Sequence, residues 1–153
     1  MMTIQDYQDI TQICKHPHHY AQPEFDDQIF CFCVEGQPVP KQSYRAVKGG
    51  GYTSPRVKAW QEAVAWKAKE AMQWRNPIEG PVSVRLVFIL KNKRRMDCDN
   101  LSKGTLDGMR GIVYKDDNQI VNLHIIKRII PKAITGVFIE VHSGEKLPPF
   151  YKS

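Results

Sequence analysis

The sequence predicts an α/β (α+β) domain: a small mixed β-sheet of about four strands packed with two main helices. Three observations predict it. Four stretches, residues 28–34, 81–90, 119–129 and 135–142, are dense in β-branched and aromatic side chains and lie between Gly, Pro or Asn residues. Two others, residues 54–75 and 100–110, space their apolar residues for helices. Finally, 153 residues with 42% apolar content can bury one core without staples.

Each element follows from its residues. Residues 1–27 form an acidic N-terminal extension with no strong period, although Ile4, Tyr7, Ile10 and Ile13 suit one short amphipathic helix. A domain over residues 28–143 follows, and residues 144–153 make a tail without periodicity. The first strand is 28–34. After it, Gly36, Pro38 and Pro40 punctuate an extended segment that delivers Lys41, Arg45 and Lys48 into a Gly-rich loop. Such a loop suits phosphate contacts, because amides and long cations both reach an oxyanion. Tyr44 and Tyr52 are placed there to stack on bases.

Ser54 and Pro55 are an N-cap and first helical residue. Val57, Trp60, Val64, Ala68 and Ala71 trace the buried face of that helix, and Trp60, Trp66 and Trp74 read as packing residues. Residues 81–90 are a central strand that runs straight into the basic stretch Lys91, Lys93, Arg94, Arg95. Asp99 is then the expected N-cap of the helix over 100–110, with Leu101, Leu106 and Met109 toward the core. The last two strands, 119–129 and 135–142, predict an antiparallel hairpin turning near Pro131.

Charge is unevenly spread. Residues 1–30 hold one Lys against five Asp/Glu, whereas residues 31–153 hold 21 Lys/Arg against 11 Asp/Glu, a net of +10. A basic body favours a polyanionic partner. No apolar run reaches the roughly 18 residues of a membrane span, and no basic start precedes an apolar stretch, which predicts a cytoplasmic protein that is not membrane-bound. The four cysteines match no common zinc spacing. Cys14 with His16, His18 and His19 is the weaker metal candidate, and Cys31 and Cys33 read as small buried strand residues.

Against that basic body, five of the sixteen acidic residues fall within residues 97–119: Asp97, Asp99, Asp107, Asp116 and Asp117. Gathered carboxylates repel unless a cation offsets them. Hard oxygen ligands beside a basic run suggest magnesium placed where phosphate backbone lies, with phosphodiester hydrolysis as the reaction. Lys103, one turn from Asp99, is placed to hold the scissile phosphate. A structural calcium site, helix capping, or a surface row Asp99–Lys103–Asp107 worth a few tenths of a kcal/mol per pair remain open on these residues alone.

The run Asp97-x-Asp99-Asn100-Leu101-x-Lys103-x-x-x-Asp107, followed by Asp116-Asp117-x-Gln119-Ile120, resembles the RusA family of Holliday-junction resolvases. So do Gly36-x-Pro38-Val39-Pro40-Lys41-Gln42 and Tyr52-Thr53 upstream, and Lys127 downstream. The resemblance implies a RusA-like fold and a small homodimeric endodeoxyribonuclease. It further implies dependence on Mg2+, with Mn2+ able to substitute, and paired incisions in four-way junction DNA during recombination and repair. By matching position, Asp97, Asp99 and Asp117 are the metal-binding catalytic carboxylates, with Lys103 the essential, positively charged catalytic residue beside them. Asp116 matches a commonly acidic position and counts as a further metal ligand. Lys41 and Arg45 match the DNA-contacting loop; Lys48, Lys91, Lys93, Arg94 and Arg95 extend the DNA-binding surface. The loop is poorer in arginine than is usual in the family, and Cys98 stands where an aliphatic residue is common. A non-catalytic module for junctions or single strands, and a flap- or fork-specific magnesium nuclease, are the alternatives.

Overall fold

A computed structural model describes residues 7–15, 28–41, 46–47, 50–51, 53–92 and 96–147. In chain order the elements are helix α1 (Ile10–Lys15), strands β1 (Ile29–Glu35), β2 (Ala46–Val47) and β3 (Gly50–Gly51), helix α2 (Pro55–Met72), strand β4 (Val82–Leu90), helix α3 (Cys98–Met109), a 3-10 turn (Asp117–Gln119), and strands β5 (Ile120–Ile129) and β6 (Gly136–Ser143). The main sheet has the order β1-β6-β4-β5, and β2 pairs with β3 in a separate two-stranded ribbon. A four-stranded mixed sheet with three helices is the α+β architecture expected. No helix among the described residues is long and apolar enough to cross a membrane.

The expected hairpin between the last two strands is not formed. β5 pairs in parallel with β4, while β6 lies antiparallel between β4 and β1. The cause is the helix between β4 and β5: a strand–helix–strand crossover returns the chain parallel to its start. The link from β5 to β6 then passes over the end of β4. Ile130 N–H donates to the Leu90 carbonyl, and the Thr135 carbonyl accepts from Gly36 N–H beyond β1. All nine residues of β4 are buried, as a central strand covered on both faces requires.

One face of the sheet, with Val84, Leu86, Phe88 and Leu90 of β4, packs under α2 and α3. Val57, Trp60, Val64, Ala68 and Met72 form the buried side of α2, at helical spacing. Ser54 caps that helix through Val57 N–H, and Pro55 opens it. It ends at Met72, because Gln73 turns left-handed. Trp60 is buried, with its indole N–H donating to Thr105 Oγ1, but Trp66 and Trp74 are exposed and meet edge to face. They lie beyond the stripe that faces the sheet, which corrects the reading of all three as packing residues. The helices approach closely because α3 carries glycines at the contact. A Cβ on Gly108 would lie 2.9 Å from the Gln61 carbonyl oxygen, and one on Gly104 2.9 Å from that of Val39.

The other face buries Val87, Ile89 and Phe138 under Tyr7, Ile10 and Ile13 of the N-terminal segment. Cys14 of α1 is disulfide-bonded to Cys33 of β1, a link that the cysteine spacing does not reveal. Below that apolar patch lies a charged seam. Arg85 Nη1 donates to both Glu140 oxygens at 3.1 and 3.2 Å, and His142 Nε2 lies 2.5 Å from Glu140 Oε1. His16, His18, His19, Tyr44 and Tyr52 lie outside the described residues.

Candidate metal and nucleic-acid site

The acidic set is positioned by α3. Asp97, not Asp99, is the N-cap: the helix begins at Cys98, with Leu101 N–H donating to the Asp97 carbonyl. The Asp97 side chain makes no capping bond, so its exposed carboxylate keeps its acceptor capacity. Asp99 falls in the first turn, where the helix N-terminus favours negative charge, and its Oδ2 lies 3.7 Å from Lys103 Nζ. Both partners are largely exposed, so the pair is loose and open to exchange with a ligand.

The connection that carries Asp97 is held from β5. Lys127 Nζ donates to the Met96 carbonyl at 2.9 Å, and Met96 itself is buried. Across α3, the extended segment at Val39 fits over Gly104. Lys41 N–H donates to the Asn100 carbonyl, and Lys41 Nζ pairs with Asp107. Asp107 is thereby neutralised from the basic segment, in keeping with a supporting role on the helix. A groove of about 260 Å³ between α2 and α3 opens beside it, lined by Lys58, Gln61, Asp107 and Arg110 among others.

Asp116 and Asp117 stand at the far end. Asp116 Oδ1 accepts from Asn118 N–H, while Gln119 Oε1 accepts from the Asp116 and Lys115 amides and its Nε2 donates to the Ile78 and Gly80 carbonyls. That capping box gives Asp116 a local structural task. Asp117 Oδ2 lies 3.8 Å from Arg110 Nη1. Its Oδ1 is buried with no geometrically formed hydrogen bond among the described residues; the Tyr114 hydroxyl stands beside Asp117 but is directed to the Leu106 carbonyl at 2.8 Å. Burial, with Asp107 and Asp116 adding repulsion against the pull of Arg110 and the neighbouring Tyr114 hydroxyl, raises the Asp117 pKa above the ordinary carboxylate value.

One chain therefore brings Asp97, Asp99 and Lys103 together and sets Asp117 apart. Asp99 opens α3 and Arg110, the partner of Asp117, closes it; eleven residues at 1.5 Å each separate them by about 16 Å along the axis. The charges acting on Asp117 are Arg110, Asp107 and Asp116, with neither Asp97 nor Asp99 among them. Among the described residues no three His, Cys, Asp or Glu side chains converge as a metal-binding group. Of the expected DNA-binding residues, Lys41, in the extended segment after β1, pairs with Asp107 of α3, and Lys91 is exposed just beyond the end of β4. Arg45, Lys48, Lys93, Arg94 and Arg95 lie outside the described residues. Arg110 and Tyr114, which surround Asp117, carry no sequence signal of their own.

The donor set nonetheless suits a hard divalent cation. Asp97 has an uncommitted carboxylate, and Asp117 a buried oxygen with no donor. The family profile described as "Endodeoxyribonuclease RusA" matches residues 35–142. The chain is similar to the crossover junction endodeoxyribonuclease RusA of Aquifex aeolicus, at 36% identity over 107 residues, which cover 68% of this chain and 83% of that protein. It is also similar to the proteins of that name from Escherichia coli strain K12 and Enterobacteria phage 82, at 29% and 28% identity over 62% of this chain.

Proposed function

The chain belongs to the RusA endodeoxyribonuclease family, and on that premise we propose that it is a metal-dependent, structure-specific endodeoxyribonuclease acting on four-way (Holliday) junctions. It resolves them by paired phosphodiester hydrolysis. The observation that carries the reading is the carboxylate pair Asp97 and Asp99, presented at the start of α3 directly after the central strand, with Asp97 spared from capping. Mg2+, or Mn2+ in its place, would be held by Asp97, Asp99 and Asp117, with Asp116 as a further ligand. When bound, the ion supplies charge stabilisation at the phosphate and acidifies a water.

The chain's own residues do the rest. Lys103 Nζ, only loosely held by Asp99, turns to a phosphate oxygen once Asp99 is engaged. Asp117 must shed its proton before it can serve as a ligand, so ligand binding is favoured above its raised pKa. Lys127 fixes the Met96–Asp97 connection, and Lys91 with the basic segment at Lys41 meets the phosphate backbone without reading sequence. A DNA substrate places the activity inside the cell, and we assign it to the cytoplasm.

The separation of Asp97 and Asp99 from Asp117 supports a working homodimer, in which each centre draws on both chains. A mixing experiment tests this. Asp99→Asn and Asp117→Asn variants are each inactive alone; mixed, they regain one intact centre per dimer and nick one strand. Centres contained within single chains give no recovery. The activity itself is tested by incubating labelled four-way, forked and linear DNA with magnesium or with EDTA. Symmetric nicks in the four-way substrate, abolished by EDTA and by Asp99→Asn while binding persists, are expected. Undiminished cleavage by Asp99→Asn removes the assignment.

A further inference from the structure

The turn that carries Asp117 has little packing to fix it. Asp117–Gln119 is a single 3-10 turn with no buried residue, and the Lys115 and Asp116 before it are exposed. The ladder that follows does not set its place either. Val82 of β4 pairs with Ile120, but Ser83 already pairs with Asn122, so the register slips by one residue at its first step. The Asp117 carboxylate meets Arg110 at 3.8 Å, with both side chains about half exposed. A solvent-screened contact of that kind does not anchor a backbone.

Gln119 supplies the missing hold. Its side chain makes four hydrogen bonds, all to main-chain atoms. Oε1 accepts from the Lys115 amide at 2.7 Å and from the Asp116 amide at 3.0 Å. Nε2 donates to the Ile78 and Gly80 carbonyls, each at 2.8 Å. Both acceptor sites and both hydrogens of the carboxamide are thereby used. The pattern also fixes which way the amide points, since the reverse would set oxygen against carbonyls and N–H against N–H. The two carbonyls belong to the segment that enters β4. There Ile78 is buried and its N–H donates to the Val113 carbonyl at 2.8 Å. One side chain therefore ties the backbone just before Asp117 to the entry of the central strand.

We infer that Gln119 is a positioning residue for the reaction: it sets where Asp117 stands, acting through the backbone rather than on metal or DNA. The hold on the turn stands on the hydrogen bonds alone; its service to the reaction rests on the reading of Asp117 as a metal ligand. The chemistry of the position calls for glutamine. Glutamate keeps the two acceptances but cannot donate to the carbonyls, and asparagine, one methylene shorter, does not span both sides.

The test uses the full chain and reads the turn before it reads the metal. In metal-free protein, Gln119→Ala should speed amide hydrogen exchange at Lys115 and Asp116 by about 10-fold. Manganese binding, followed by calorimetry without DNA, should weaken by about 10-fold as well. In an Asp117→Asn background, Gln119→Ala should weaken it no further, because a positioning residue loses its effect together with the side chain it positions. Gln119→Glu, which gives up only the ties to Ile78 and Gly80, should act in the same sense and serves if the alanine variant does not fold. Unchanged exchange at Lys115 and Asp116 overturns the proposal. So does manganese binding that Gln119→Ala leaves intact while Asp117→Asn weakens it. An equal loss with and without Asp117 also overturns it, since Gln119 then supports the fold at large. Faster exchange, with Asp117→Asn binding manganese as the unaltered chain does, upholds the hold on the turn and instead removes Asp117 from the ligands.

Discussion

Two sets of charged side chains lie on the same sheet and are built on opposite terms. On the face under α1, Glu140 is fully buried, yet Arg85 reaches both of its oxygens and His142 reaches one. On the face under α3, Asp97 stands in water with no capping bond, and Asp117 has an oxygen buried without a donor. A buried charge costs several kcal/mol unless it is paired and hydrogen-bonded. Glu140 has that compensation within the chain; for Asp117, burial outweighs the pull of Arg110 at 3.8 Å and of the neighbouring Tyr114 hydroxyl, and its raised pKa is the consequence. Depth of burial therefore does not mark the carboxylates proposed as metal ligands. Unmet coordinating capacity does.

The contrast breaks most visibly by charge removal on either side. Asp99→Asn should lower the single-turnover rate of junction cleavage by about 1000-fold, while the melting temperature stays nearly constant because Asp99 is largely exposed. A clear loss of stability would place Asp99 with the structural set instead. Glu140→Ala should do the reverse. It leaves Arg85 charged and buried, which costs about 3–5 kcal/mol and lowers the melting temperature by roughly 10 °C. Cleavage by the fraction that remains folded should be unchanged, as followed by thermal melts and assays well below the transition.

How much of this was legible in the residues differs between the two sets. The acidic motif could be read directly, since Asp97, Asp99 and Lys103 are close in sequence and a helix keeps them close in space. Which distant carboxylates meet could not, because Asp117 is positioned by the length of α3 and by Arg110, and neither carries a motif. The buried seam did leave a trace: Arg85 and Glu140 are lone charges amid apolar strands, and two such charges in neighbouring strands favour a pair. Strand existence was legible from β-branched content, but strand order was not. Proximity in sequence favours a hairpin for the last two strands, and only the crossover through α3, with the full burial of β4, overrides it.

A subtler change sharpens the role of the connection between the two regions. Lys127→Met removes the bond to the Met96 carbonyl while keeping the aliphatic stem. Asp97 then rests on a looser linker, and supports of this kind are worth about 10-fold or more in metal affinity. The magnesium concentration giving half-maximal cleavage should rise by about that factor, with the rate at saturating magnesium little altered. A fall in the saturated rate with no change in magnesium requirement would instead put Lys127 on the DNA.

The smallest expected effect reports on the buried seam itself. Cys31 lies opposite Glu140 across β1 and β6, and burial, reinforced by the Glu140 charge against the opposing effect of Arg85, raises its thiol from 9.0 to about 12. Between those values the native chain holds a proton that the unfolded chain has released, so stability is complete below pH 9 and declines as pH rises toward 12. At pH 10 the thiol accounts for a loss of about 1 kcal/mol relative to pH 7. Cys31→Ala should lack this loss, and urea unfolding of both proteins at the two pH values measures the difference. Burial of Tyr114 raises its hydroxyl in the same sense, but equally in both proteins, so it cancels in the comparison. Equal declines in the two proteins would mean that Cys31 ionises freely, and hence that the seam around Glu140 is open to water rather than closed by its own partners.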